Sequence, residues 1–322
     1  MTPAAASPSP AVAGRPAEEE FRLGRMSAGV DMALKAGRLA LGGPESWRVV
    51  GPSLRRKHAQ RRALAGRRPA SVLPSRDLDP PLGSVQFLCV YRHRNAEILS
   101  ALIDQADLDD IDLRLWALDR AHPTLERWTV GAGPGTKFGL LNRLLEPSDG
   151  RAEWAVFADD DVILHRGTVT DLLRIGRRAG FSLLQPAHAK GSYRSYDITL
   201  ARPGLRARET TYVEIGPLFA LDLRQRRHFL PFPDGIGMGW GLEFRWAAAR
   251  EHGCRLGIVD DVRVVHLVPP ALSYPNGPEV HRLERCLEEA GLASVVDGQA
   301  TLGAWRRRRS SPPWAQPDMA TA

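Results

Sequence analysis

From residue 85 onward, apolar positions fall into short runs whose spacing switches between two patterns. Residues 85–91, VQFLCVY, are almost continuously apolar, the texture of a strand buried on both faces. In 95–106 the apolar residues Ile98, Leu99, Leu102 and Ile103 recur three and four apart behind a capping Asn95, which predicts a helix. Residues 111–118 alternate and then turn apolar, a strand that ends at Asp119. Gly131 to Lys137 reads as a flexible loop, and Thr136 opens a helix carrying Phe138, Leu140, Leu141, Leu144 and Leu145. The run 154–158, WAVFA, is another buried strand; 168–179 reads as a helix and 181–184 as a strand. Strand, helix, strand, helix, strand in succession implies parallel βαβ units. The expected class is α/β, with a Rossmann-type, mostly parallel sheet flanked by helices.

The pattern loosens after residue 190. Residues 193–208 are polar and broken by Gly and Pro, a loop or flap. Segments 211–215 and 218–221 are strand-like. Residues 231–241, PFPDGIGMGWG, form a glycine-dense loop feeding a helix over 242–252 that stops at Gly253. Two strands are expected at 256–259 and 262–268, and a helix over about 278–290, with little order beyond Gly298. There is no internal repeat.

Composition changes the picture mainly at the two ends. The chain has 322 residues, 43% hydrophobic and 25% charged, an ordinary globular balance. No apolar run approaches the roughly 18 residues that span a bilayer. The first twenty residues, rich in Ala, Pro and Ser, read as disordered and lack the basic start and apolar core of a secretory signal. A helix is expected within 21–42. Cys89, Cys254 and Cys286 have no metal-ligand spacing and read as reduced thiols of a cytoplasmic protein. The net charge of +7 is concentrated outside the expected core. Nine Lys and Arg and no acid lie between Trp47 and Arg76, and Arg306 to Arg309 form a second cluster. Such arms suit an anionic membrane surface, a nucleic acid or an acidic partner, or are simply solvated. Punctuation at Asp79-Pro80-Pro81-Leu82-Gly83 marks a boundary. The expected division is a basic extension over 1–83, a catalytic domain over 84–268, and a C-terminal helix with a basic tail over 269–322.

The chemistry converges on strand ends. Asp159, Asp160 and Asp161 directly follow the apolar run 154–158, so a strand delivers them to the sheet edge where ligands bind in open α/β folds. Alternate residues of an extended chain point the same way, which lets Asp159 and Asp161 share one ligand while Asp160 supports them. Two hard oxygen donors suit Mn²⁺ or Mg²⁺; the competing reading is a solvated acidic turn. Asp119, at another strand end, suits a nucleoside hydroxyl or a plain turn. The glycines around Trp240 leave its indole free to wall a pocket, and Glu243 falls in the first turn of a helix, where the helix dipole favours its anion. A carboxylate beside an aromatic wall can deprotonate a sugar hydroxyl, or cap the helix. His266, in the apolar VRVVHL, is either a satisfied core histidine or the third ligand of an acidic metal pair.

The order of these parts resembles a known family. AVFADDDV resembles the DxD motif of GT-A-fold glycosyltransferases, GMGWGLEFRW their W-G-x-E/D acceptor and base motif, and the His266 strand their late metal-binding histidine. KFGLLN, from Lys137 to Asn142, resembles the helix before the DxD strand in family 2-like members. The resemblance spans about residues 85–268. It departs at Phe244, where many relatives carry a second acid, and at Tyr91-Arg-His-Arg94 after the first strand. It implies transfer of a sugar from a nucleotide-diphosphate donor to an acceptor hydroxyl. Asp159, Asp161 and His266 would hold Mn²⁺ or Mg²⁺. Asp119, Arg92, Arg94, Lys137, Asp159 and Asp160 would hold the donor, and Trp240 and Gly241 the acceptor. Glu243 would act as base, giving inversion. The partners so implied are a nucleotide sugar and a small-molecule or glycan acceptor, with a membrane surface open to the basic arms and no nucleic acid. Two alternatives stand beside it. One is a metal-dependent phosphoryl-transfer enzyme or nuclease; the other is a nucleic-acid- or membrane-binding protein with an inactive α/β core.

Overall fold

A computed structural model describes residues 71–72, 81–145, 151–269 and 277–306. The expected helix over 21–42 and nearly all of both basic clusters lie outside the described residues. In chain order the strands are β1 (Ser71–Val72), β2 (Val85–Tyr91), β3 (Ile111–Ala117), β4 (Thr129–Ala132), β5 (Trp154–Ala158), β6 (Val162–Arg166), β7 (Leu183–His188), β8 (Leu205–Thr210), β9 (Leu218–Asp222), β10 (Leu256–His266) and β11 (Thr301–Arg306). The α-helices are α1 (Ala96–Gln105), α2 (Lys137–Leu145), α3 (Val169–Ala179), α4 (Leu242–Ala248) and α5 (Gly277–Glu289).

One sheet takes the order β1-β11-β8-β10-β7-β9-β5-β2-β3-β4, with β6 added to β10. Strands β5, β2, β3 and β4 pair in parallel. Strand β9 runs antiparallel between β5 and β7, so β7 and its parallel neighbour β10 regain the direction of β5. The carboxyl ends of β2, β3, β5, β7 and β10 therefore share one edge. Every residue of β2 is buried, because both faces of the sheet are covered. Phe87, Cys89 and Tyr91 pack on one face with Leu99, Leu102 and Leu172, while Leu88 and Val90 pack on the other with Phe138 and Leu141. The period-2 alternation of the strand thus feeds two layers of helices.

Local signals explain the helix ends. Thr168 caps α3 by accepting the Asp171 N–H, and Gly180 closes it in the left-handed conformation at φ 69°. The last four residues expected in the helix over 242–252 tighten into a 3₁₀ turn before Gly253.

The pattern misleads where pairing partners come from far along the chain. Segments 256–259 and 262–268 fall in one strand that ends at His266 and bulges against β7 over 260–262, where buried Asp260 is neutralised by Arg208. Segment 211–215 is irregular rather than a strand. Residues 205–210, which overlap the end of the expected loop, 129–132, which run into the expected flexible loop, and 301–306 of the expected tail are all strands. The pairing of β1 with β11, Ser71 opposite Trp305, carries the sheet past residues 84–268 at both ends. Among the described residues no helix is long and apolar enough to cross a membrane.

Candidate metal and donor site

The shared edge gathers the acidic residues foreseen from sequence. Strand β5 ends at Ala158 and presents Asp159, Asp160 and Asp161. The chain then turns into β6, which runs antiparallel to β10 with Val162 opposite His266. This register puts Asp161 beside the imidazole: His266 Nε2 lies 3.1 Å from Asp161 Oδ1. Ligand atoms of Asp159, Asp161 and His266 all fall within 4.8 Å of one another, and all three side chains are partly exposed. Burial alone would push the His266 imidazole down. Its bond to Asp161 and the charges of Asp161 and Asp159 outweigh that and raise it.

Asp159 is held from two sides. Lys137 Nζ, at the start of α2, lies 2.5 Å from its Oδ1 and also donates to the Ile215 carbonyl at 3.3 Å. Gly216 packs so closely that a Cβ there would meet Asp159 Oδ2 at 2.7 Å. Asp160 turns inward, buried, and accepts the Arg92 N–H at 2.6 Å. Burial pushes its carboxyl up to about 6 against that hydrogen bond, and the charges of Asp161 and Asp159 add to the rise.

A cleft opens beside these groups. Arg92, Lys137, Asp159, Asp160, Asp161, Ser195, Glu214, Gly216, Trp240 and His266 contribute to its walls. Asp119 and Arg94 do not line it; both are exposed. Oδ1 of Asp119 accepts the N–H groups of His93 (2.9 Å) and Arg120 (2.8 Å). These bonds outweigh a desolvation effect that would raise it, and hold the carboxyl below its usual value.

Trp240 and Gly241 stand at the entrance to α4. Gly241 has φ 98°, and a Cβ on it would meet Cys286 Sγ of α5 at 2.7 Å, so no larger residue fits. Glu243, in the first turn of α4, is 6% exposed and does not line the cleft. Its carboxylate accepts the Gly241 N–H at 2.9 Å and the Tyr212 hydroxyl at 3.3 Å. Burial pushes it up to about 7 despite the backbone N–H bonds.

Sequence reasoning missed a buried polar group on the same cleft. Glu214 accepts from Ser195 N–H at 3.1 Å and lies 3.2 Å from His188 Nε2. His188 Nδ1 is 2.7 Å from Ser192 Oγ, which in turn accepts the His266 N–H at 2.9 Å. Burial would raise the Glu214 carboxyl, but the His188 bond and charge outweigh it and hold it below the usual range. The signal was present: one acid inside the otherwise apolar YVEIG, the same kind of oddity that singled out His266.

Two carboxylates and an imidazole nitrogen within bonding reach of one point fit Mn²⁺, and fit Mg²⁺ through the two oxygens. No family model matches the sequence, and no curated protein matches it significantly. Solved structures do resemble the fold. A mannosyltransferase from Pyrobaculum calidifontis, in complex with GDP-Man and Mn²⁺, is 16% identical, with 82% of this chain and 85% of that one covered and a TM-score of 0.46. GalNAc-T7 with UDP, GalNAc and Mn²⁺ is 11% identical at a TM-score of 0.44, covering 64% of this chain and 48% of that one. TarS residues 1–349 from S. aureus is 8% identical at 0.42, covering 64% and 65%. This chain thus spans about half the length of GalNAc-T7. Likenesses this distant leave the functional reading to rest on the site's own geometry.

Proposed function

We propose that the protein is a metal-dependent glycosyltransferase acting on a nucleotide-diphosphate sugar. The observation that carries this is the convergence of Asp159, Asp161 and His266 within 4.8 Å, at a sheet edge that opens into a cleft walled by Trp240. Asp159, Asp161 and His266 would hold Mn²⁺ or Mg²⁺, which when bound neutralises the charge growing on the departing diphosphate. Lys137 adds a second positive charge on the same side of the cleft, and Arg92 lines the wall next to it. Asp160, bonded to the Arg92 N–H, fixes the loop that follows β2. Asp119 and Arg94, both exposed and outside the cleft lining, would meet the nucleoside only where it extends past the cleft. Trp240 offers an apolar face to a sugar ring, and Gly241 lets it stand there. The acceptor hydroxyl loses its proton to a carboxylate on the side away from the diphosphate, and the product is inverted. Glu243 is the sequence's candidate for that carboxylate.

A donor panel tests the reading. The full chain is incubated with UDP-, GDP- and dTDP-sugars and Mn²⁺, and the products are separated. Slow, Mn²⁺-dependent release of free sugar together with nucleoside diphosphate is expected from at least one donor. Release of nucleoside monophosphate with the sugar–phosphate bond intact would instead indicate phosphoryl transfer. A single three-ligand centre among the described residues argues against that outcome, since such enzymes commonly hold two metals.

A further inference from the structure

Glu243 has the sequence context of a base but is buried and does not line the cleft. Its two oxygens face the Gly241 N–H and the Tyr212 hydroxyl, and no atom of the residue lines the cleft. Glu214 lacks the motif and has the position. It lines the same cleft as Asp159, Asp161, His266 and Trp240. Two residues on, Gly216 packs directly against Asp159 Oδ2, and between them the Ile215 carbonyl holds Lys137. The short run 214–216 is therefore one wall of the donor site, and Glu214 is its only acid.

The carboxylate is also held in place. His188 and the Ser195 N–H each take one of its oxygens, at 3.2 and 3.1 Å, and the Glu214 N–H donates to Gln185 Oε1 at 2.5 Å. His188 is wholly buried and is itself tied to Ser192, which anchors the backbone of His266. A base bonded to an orienting histidine, and linked through it to the metal-binding strand, has the geometry of a preorganised proton acceptor. Charge state agrees with position: the Glu214 carboxyl is held below its usual range and so is ionised at neutral pH, whereas Glu243 is pushed up to about 7.

We infer that Glu214, rather than Glu243, is the catalytic base that receives the acceptor's proton. This rests on the sugar-transfer reading above. As the acceptor oxygen bonds to the anomeric carbon, its proton passes to a Glu214 oxygen. The bond from that carbon to the β-phosphate oxygen breaks, and the nucleoside diphosphate leaves with the electron pair. Glu243 has a positioning role: it braces Gly241, and with it the Trp240 wall.

The test uses the full chain with Mn²⁺ and whichever nucleotide sugar of the panel it hydrolyses. Hydrolysis is measured for wild type, Glu214→Gln, Glu214→Asp and Glu243→Gln, and binding of UDP and GDP with Mn²⁺ is measured by calorimetry. Glu214→Gln should lower hydrolysis about 10²-fold, the scale of a lost general base, with nucleotide affinity held within about threefold. Glu214→Asp, which keeps the charge but withdraws it, should fall in between. Azide needs no deprotonation, so adding it to Glu214→Gln should restore turnover as glycosyl azide; a merely structural defect would not be rescued. If Glu214→Gln hydrolyses like wild type while Glu243→Gln collapses, the base is Glu243. If Glu214→Gln loses nucleotide binding in step with turnover and azide restores nothing, Glu214 only holds the fold. If the wild-type chain itself neither binds either nucleotide with Mn²⁺ nor releases sugar, the transferase reading fails, not merely the choice of base.

Discussion

Two acidic clusters meet at β10, and they are built on opposite principles. In the middle of the strand, Asp260 is fully buried and Arg208 grips both of its oxygens, at 2.9 and 3.1 Å, while the Arg202 N–H adds a third bond at 2.7 Å. Its neighbour Asp261 is paired with Arg206 at 2.9 Å. At the end of the strand, His266 faces Asp159 and Asp161, with Asp160 turned inward behind them; the partners of these three carboxylates include Lys137, the Arg92 N–H, the Asn95 side chain and the His266 imidazole. The first cluster is closed: each charge is matched by the chain, and its worth is structural. The second is short of positive charge and partly open to solvent, the condition under which a cation or a diphosphate–metal pair gains most by arriving. Counting aspartates in the sequence does not separate the two; counting the cations that the fold assigns to each does.

The largest effect that would sharpen this contrast is expected at Asp161. Asp161→Asn should abolish tight Mn²⁺ binding, followed by paramagnetic resonance, and cut sugar release about 10³-fold or more. Unchanged Mn²⁺ affinity would break the contrast at its functional end. The matching change at the closed cluster, Asp260→Asn, leaves Arg208 buried without its counter-charge. It should cost about 3–5 kcal/mol of stability and lower Tm by roughly 10 °C, leaving Mn²⁺ affinity unchanged in whatever remains folded. A variant as stable as wild type would show that the pair contributes little.

Glu243 offers a third case, a buried carboxylate with no cation bonded to it. Its folded value, about 7, stands above the ordinary 4.5. Between those values the folded chain keeps a proton that the unfolded chain releases, so stability must fall as pH rises through the window and level off above it. At about 1.4 kcal/mol per unit, the contribution is roughly 3 kcal/mol between pH 4 and 8. Denaturant melts of wild type and Glu243→Gln across that range measure it as the difference in slope; parallel curves would contradict it. The smallest expected effect is at Lys137. Its ion pair with Asp159 is partly exposed and would compete with a metal for the same carboxylate. Lys137→Met should therefore tighten Mn²⁺ binding by itself, by up to about fivefold, while weakening UDP or GDP.

Much of this was legible from spacing alone. The elements β2, α1, β3, α2, β5 and α3 appear within a few residues of where apolar periodicity puts them, because each carries its buried face in its own spacing, whichever element it packs against. Asp159, Asp161 and His266 were also legible as a group, the histidine because an acidic pair lies upstream of it, and the fold brings the three within 4.8 Å. What spacing could not show were β8 and β11, polar strands that exist because each found the other across some ninety residues. Nor could it show that Arg208 would make Asp260 an acceptable strand residue, joining two expected strands into one. Glu243 and Glu214 differ for a similar reason. A motif reports that a carboxylate opens a helix, but only the fold reports which side of the wall that helix presents.

The pairing of Val162 with His266 makes the sheet a ruler for the His266 imidazole. One residue inserted within 264–266, where β10 keeps continuous register with β6, would slide the ring by about 3.3 Å and turn it to the opposite face, whereas an insertion ahead of Leu256 would leave its setting untouched. The interval from Val264 to His266 is in this sense a calibrated length, and an engineer lengthening this protein should place new residues before Leu256 and none within that interval.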